Sequence, residues 1–173
     1  MIRIQKSPTA DTRTCDFTKV SKETLLASSK QHIFDVRLAL DFFASRVFKA
    51  GQDHDTDKIT DIDGFHRDFV TGFTQTMWLD AHRKLNRHHL NVEDGIPEDV
   101  NLIDVLDYIA DCTMAGMARS GSVYDITLPA DVLQRAFANT AAMLKARVII
   151  VDADGNQLSD AKRAVAPAAS AAK

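Results

Sequence analysis

Between Leu25 and Val47 the chain repeats apolar side chains at the spacing of one helix face: Leu25, Ile33, Val36, Leu40, Phe43 and Val47. Steps of three and four sustained over this many turns predict a long amphipathic helix and argue against a strand, whose side chains alternate. Ser21 is a good N-cap, with Glu23 in the first turn, and Gly51 is placed to end the helix as a C′ residue. The same period returns from about Gly64 to Leu90, where Phe65, Phe69, Phe73, Met77 or Trp78, Ala81 and Leu85 fall on one face. Gly95 and Pro97 mark a loop over 91–99. A third helix, capped by Asp99 or Asn101, runs to about Arg119 and is closed by Ser120-Gly121-Ser122. A fourth follows Pro129 to about Ala146.

The expected fold class is therefore all-α: a helical domain over 21–147, behind an arm at 1–20 that holds a short strand at Ile2–Ile4. The β-branched run from Val148 and the turn residues after it predict a strand and turn over 148–160. The Ala/Pro/Ser-rich end, 161–173, reads as a disordered tail. At 173 residues there is length for one domain with a real core. A net charge of −3 gives no bulk attraction to nucleic acid or to an anionic membrane. The polar start has no signal-peptide pattern, and the longest aliphatic run, Val148 to Val151, is far too short to span a bilayer. Cys15 and Cys112 form no CxxC pair and read as free thiols in a reducing, cytoplasmic setting.

All six histidines lie between His32 and His89. His32 falls on the apolar stripe of the first helix, where an imidazole is expected to face the interior; a buried neutral ring with one hydrogen-bonded partner is the plainer explanation. His54 and Asp55 are adjacent and can chelate one ion. His82, Asn86 and His89 are spaced i, i+4, i+7 on one helix face, with His88 beside them. Asp104, Asp107 and Asp111 are spaced i, i+3, i+7 on the next helix. Like charges so placed cost roughly 0.2–0.5 kcal/mol per pair unless a cation or basic group faces them, and a solvated acidic face weighs equally with a functional one. Asp152-x-Asp154-Gly155 lacks the third acidic ligand and closing glutamate of a calcium loop. His66 reads as an ordinary helix residue.

Taken in order, His32, His54-Asp55, His82, His88-His89 and Asp111 resemble the HD-domain pattern. The likeness is greater to an uncharacterised phage and bacterial family that itself resembles HD-domain metal-dependent phosphohydrolases. Its elements are matched by His54-Asp55-Thr56-Asp57-Lys58, by Asn86-Arg87-His88-His89, and by Asn101-Leu102-Ile103-Asp104 leading to Asp111. The resemblance covers roughly residues 25–120, and Cys112 stands where that family has an aromatic.

The resemblance implies an HD-like helical bundle in which His32, His54, Asp55 and Asp111 hold a divalent ion. Imidazole and carboxylate without thiolate suit Mn, Fe, Co, Ni or Zn. Asp55 and Lys58 would be the catalytic pair. His82, His88, His89 and Arg87 would hold a second ion or phosphate, and Asp104 and Asp107 would orient histidines. Lys58, Arg83, Arg87 and Arg119 are the cations at hand for a small phosphorylated substrate such as a nucleotide. The implied activity is metal-dependent phosphohydrolysis in the cytoplasm, the host's if the chain is phage-encoded, with no membrane partner; homo-oligomers are compatible with it. The alternatives are a non-catalytic phage accessory protein binding metal or nucleotide through the same site, and a structural bundle whose histidines pair with aspartates without metal.

Overall fold

A computed structural model describes residues 1–7, 16–91 and 95–158. Cys15 and the expected disordered tail at 161–173 lie outside them. The described chain is all-α apart from one pair of short strands. In order it contains β1 (Ile2–Gln5), α1 (Lys22–Asp53), α2 (Asp57–Thr60), α3 (Ile62–Val70), α4 (Met77–Leu85), α5 (Leu102–Ser120), α6 (Ala130–Lys145) and β2 (Val148–Val151). None of the helices among the described residues is long and apolar enough to cross a membrane.

The chain divides into two compact units, one of 1–40 with 144–173 and one of 41–143. In the first, β1 and β2 pair in parallel, Ile2 opposite Val148 through Gln5 opposite Val151. Both strands were expected, but not their pairing. The turn after β2 is closed by the Asp152 carboxylate, which accepts from the Asp154 and Asn156 N–H groups at 3.0 and 2.8 Å. Ser21 caps α1 as expected, its hydroxyl accepting from Thr24 N–H at 3.2 Å. His32 is exposed, so the expectation that it faces the interior is corrected. The cause is a rotation of the helix. Its half-buried positions include Gln31, Asp35, Leu38, Ala39 and Phe42, and the stripe through Leu25, Ile33, Val36, Leu40 and Val47 is left exposed.

In the second unit α5 and α6 enclose the core. Val105 and Tyr108 of α5 pack with Val132 and Ala136 of α6, and with Leu90 and Val100 from the segment before α5. Burial of such side chains contributes about 1.5–3 kcal/mol each. Two polar side chains of α6 hold the start of α5. Thr140 Oγ1 accepts from Leu102 N–H at 2.8 Å, and Asn139 donates to the Val100 carbonyl at 2.8 Å. Asn101 caps α5, and Asp104 completes a capping box by accepting from Asn101 N–H at 2.9 Å. Gly116 lies where a Cβ would stand 2.6 Å from the Ser122 carbonyl and 2.7 Å from Tyr124 N. Gly116→Ala is expected to lower stability by about 1–3 kcal/mol in urea unfolding, because backbone rather than a movable side chain blocks the added methyl.

The long helix expected over 64–90 is instead two. Gly72 and Phe73 both take left-handed φ, 64° and 58°, and break it between α3 and α4. Asp68 makes the break favourable. Its side chain is 1% exposed, and Oδ2 accepts from Trp78 and Leu79 N–H at 2.8 and 3.1 Å, satisfying the open start of α4 from the end of α3. Phe65, Phe69, Phe73 and Trp78 still cluster as the helical spacing suggested, with Phe65 and Trp78 ring centroids 4.6 Å apart. Gly51 also departs from expectation. It sits within α1, which runs on to Asp53, and the left-handed residue beyond the helix is Asp55, φ 54°.

Candidate metal centre

The site lies within the second unit and starts where α1 ends. His54 N–H still bonds the Ala50 carbonyl at 2.8 Å, and the next residue, Asp55, turns the chain through its left-handed conformation. Aspartate and asparagine tolerate that region better than most residues. The Asp55 N–H is held by Asn86 Oδ1 at 3.3 Å. Asp57 then opens α2. The last turn of α4 supplies His82, and Asn86 terminates that helix. His88 and His89 follow on the segment after it, so the expectation that His82, Asn86 and His89 share one helix face is corrected. α5 supplies Asp107 and Asp111.

Asp55 stands at the centre. Its Oδ1 lies 3.6 Å from His82 Nε2 and 3.5 Å from His88 Nε2, and its Oδ2 lies 3.5 Å from His54 Nε2. Asp111 Oδ1 is 3.7 Å from that same His54 nitrogen. His89 Nε2 meets His82 Nε2 at 2.9 Å. Among the described residues, two groups of three have ligand atoms within 4.8 Å of one another: His54, Asp55 and His88, and Asp55, His82 and His89. Asp55 belongs to both.

Two histidines are fixed from behind by carboxylates. His54 Nδ1 is 2.8 Å from Asp107 Oδ1, and His82 Nδ1 is 2.8 Å from Asp57 Oδ2. Burial opposes charge on Asp57 and Asp107. Asn86 and His82 around the first, and His88 and His54 around the second, outweigh it and hold both below the usual carboxylate range. Ionised carboxylates only accept, so each Nδ1 carries the proton and donates it. The Nε2 lone pairs of His54 and His82 are then turned toward Asp55, the orientation a metal-binding histidine needs. Asp55 is likewise held low: burial works against it, but Lys58 in contact with Oδ2 and the charges of His54 and His88 prevail. His88 is held above the ordinary histidine value; burial opposes its charge, while Asp107, Asp55 and Asp111 favour it.

Two buried polar atoms here have no hydrogen-bond partner, Asp55 Oδ1 and His88 Nε2. A buried carboxylate oxygen without a partner costs of order 1–3 kcal/mol. Here it faces imidazole nitrogens too far for a hydrogen bond and well placed for an ion between them. The donor set of nitrogen and oxygen, with no thiolate, fits a divalent transition ion. Asp107→Ala and Asp57→Ala are each expected to weaken metal binding about 10–100-fold without removing a ligand, measured by calorimetric titration of metal into stripped protein.

Of the residues singled out from sequence, His54, Asp55, His82, His88, His89, Asp107 and Asp111 come together. His32 does not: it enters neither ligand group and lies about six turns before His54 along the chain of α1. Arg87 is not open to phosphate, since its guanidinium binds Asp104 at 2.8 and 2.9 Å and Asp99 at 3.1 Å. Asp104 is taken up by that pair and by the α5 cap, and orients no histidine. Lys58 lies on Asp55. Reading the sequence missed Asp57 and Asn86 as supporting groups. Their signal was present: Asp57 lies inside the His-Asp-Thr-Asp-Lys element, and Asn86 one helical turn after His82.

A cavity of about 510 Å³ adjoins the cluster. His82, His88, His89 and Asp111 form its inner end, Phe65, Phe69, Phe73 and Trp78 an aromatic side, and Lys58, Arg83 and Arg119 bring positive charge to it. Cys112, a free thiol as expected, also lines it. No family model, no curated protein and no solved structure matches this chain.

Proposed function

We propose that the protein is a metal-dependent phosphohydrolase acting on a nucleotide or related phosphoester, with Asp55 as the central ligand. The observation that carries this reading is the partnerless Asp55 Oδ1 facing the Nε2 atoms of His82 and His88. The metal ligands are His54, Asp55 and His88 on one side and Asp55, His82 and His89 on the other, with Asp111 next to His54. A carboxylate common to two groups suits a pair of ions, which in two-metal sites stand ~3.5–4 Å apart. This revises the ligand set implied by the resemblance, with His88 in place of His32. A bound divalent ion supplies Lewis acidity toward a phosphoryl oxygen and lowers the pKa of coordinated water.

The chain's own residues do the rest. Asp107 and Asp57 keep His54 and His82 in the ligating tautomer. Arg83 and Arg119 offer charge for phosphate oxygens, and the Phe65–Trp78 side of the cavity offers a flat apolar surface for a base. Lys58, paired with Asp55, neutralises that carboxylate and is a positioning group. The free Cys112 thiol suits the reducing cytoplasm in which such a substrate is found.

The test is metal analysis of the purified chain, followed by a screen of nucleoside mono- and triphosphates and simple phosphoesters with Mn or Co. Hydrolysis is expected for at least one substrate, weakened in Lys58→Ala. Metal and nucleotide binding without turnover would instead establish the accessory-protein reading. A chain that takes up no metal would leave a structural His/Asp cluster.

A further inference from the structure

We infer that Trp78 is a positioning residue for His82: its indole face sets the plane in which His82 presents Nε2 to an ion held with Asp55 and His89. This role rests on the reading that Asp55, His82 and His89 hold an ion, and it needs no hydrolysis. Trp78 and His82 stand one turn apart on α4, so their side chains share a face of that helix. Their ring centroids are 4.7 Å apart and their planes lie 17° from parallel. Both residues are almost wholly buried, 5% and 2% exposed.

His82 needs this contact because its hydrogen bond fixes only part of its orientation. Nδ1 is tied to Asp57 Oδ2 at 2.8 Å, which settles the tautomer and the direction of one nitrogen. An imidazole held at one nitrogen can still swing about that bond. The Nε2 lone pair lies in the ring plane, so a swing carries it away from Asp55 Oδ1, 3.6 Å off. A flat ring at van der Waals distance blocks the swing. A working site requires its groups held within ~0.5 Å and ~10–20° by neighbours whose own rotamers are locked.

Trp78 is locked in turn. Thr76, at the N-cap position of α4, makes no side-chain cap bond. The buried Asp68 carboxylate does that work instead, accepting from Trp78 N–H at 2.8 Å. Phe65 packs against the indole, with centroids 4.6 Å apart. The backbone and the ring of Trp78 are thus both fixed from α3, an element on which neither ligand group draws. His54 and His88 stack on each other, 4.3 Å between centroids, so the group containing His82 is the one the indole governs. Trp78 also lines the cavity, but the indole face against His82 is closed to a substrate ring.

Titration of Zn into the metal-stripped full chain, without nucleotide, reads the result. Trp78→Leu, which keeps an apolar side chain but no flat face, is expected to weaken Zn binding about 10–100-fold, and Trp78→Phe to restore it close to wild type. In a His82→Gln background Trp78→Leu is expected to cost nothing further, because two changes acting through one contact are not additive. A general loss of stability would add in both backgrounds, and a part confined to stacking substrate would leave Zn affinity unmoved. Trp78 is the only tryptophan, so its emission reports on the same contact. The emission is expected to change with Zn occupancy in the wild type and not in His82→Gln, which decides the matter if Trp78→Leu does not fold. Four results overturn the inference while leaving the metal reading in place: unchanged emission at saturating Zn, wild-type affinity in Trp78→Leu, additive losses, or a Trp78→Phe no better than Trp78→Leu. A wild type that binds no Zn overturns both.

Discussion

Asp55→Asn is expected to remove metal binding, and with it the phosphoester hydrolysis proposed above, while leaving the fold in place. Asparagine tolerates the left-handed backbone of residue 55, φ 54°, so the turn after α1 is preserved. Its side chain has nearly the same shape as aspartate. What is lost is the negative charge and one of the two carboxylate oxygens of the residue common to both ligand groups. Second-layer changes cost about 10–100-fold in metal affinity, so loss of the common ligand should exceed the upper end of that range. In the apo protein the substitution also surrenders the pair with Lys58, a partly exposed contact of little weight. Circular dichroism should therefore stay near wild type, while metal content and turnover fall to background. Wild-type metal content in Asp55→Asn would show that the two ligand groups do not share this carboxylate.

How far the sequence anticipated this site depends on which physical signal each residue carried. The helices were legible because apolar period is a local property, and α1, α5 and α6 run close to their expected bounds. The break between α3 and α4 was not, because Phe73 in a left-handed conformation and a capping carboxylate from ten residues upstream are tertiary choices. Histidine clustering was legible in composition: four of the six, His54, His82, His88 and His89, enter the two ligand groups. His32 was misread because an amphipathic stripe gives the apolar face of a helix without saying what that face meets. On α1 the stripe is exposed apart from the half-buried Phe43, and His32 is exposed with it.

The acidic row on α5 divided in a way its spacing could not announce. Asp107 and Asp111 face His54, whereas Asp104 serves the helix start and Arg87. The capping-box spacing of Asn101 and Asp104 was the available clue, since a residue at the third helical position is claimed by the cap before it can serve elsewhere. Arg87 was read as a phosphate contact for the same reason: its two carboxylate partners, Asp99 and Asp104, lie across a loop from it. Asp57 escaped because its role as the partner of His82 spans 25 residues of chain.

Protons and metal should compete for this cluster, and the pH dependence of melting is expected to reverse its slope when metal is added. In the apo protein His88 has a raised pKa, sustained against burial by Asp107, Asp55 and Asp111. Its contribution to stability is complete below the unfolded histidine value of about 6.5 and is lost as pH rises through the higher folded value. Asp55, Asp57 and Asp107 have lowered pKa values. Their contribution is present above the unfolded value of about 3.9 and is lost as pH falls through the folded ones. Apo stability should thus be greatest in the mildly acidic range and decline toward pH ~8. Metal requires a neutral imidazole at His88, so its binding strengthens over the same interval. At a free concentration about 100 times Kd a bound ion adds about 2.7 kcal/mol, on the order of 10–20 °C for a unit of this size. Melting curves with EDTA or with added Mn should therefore diverge as pH rises from ~5.5 to ~8. Parallel curves across that range would mean that neither His88 nor any other group of the cluster exchanges a proton for metal.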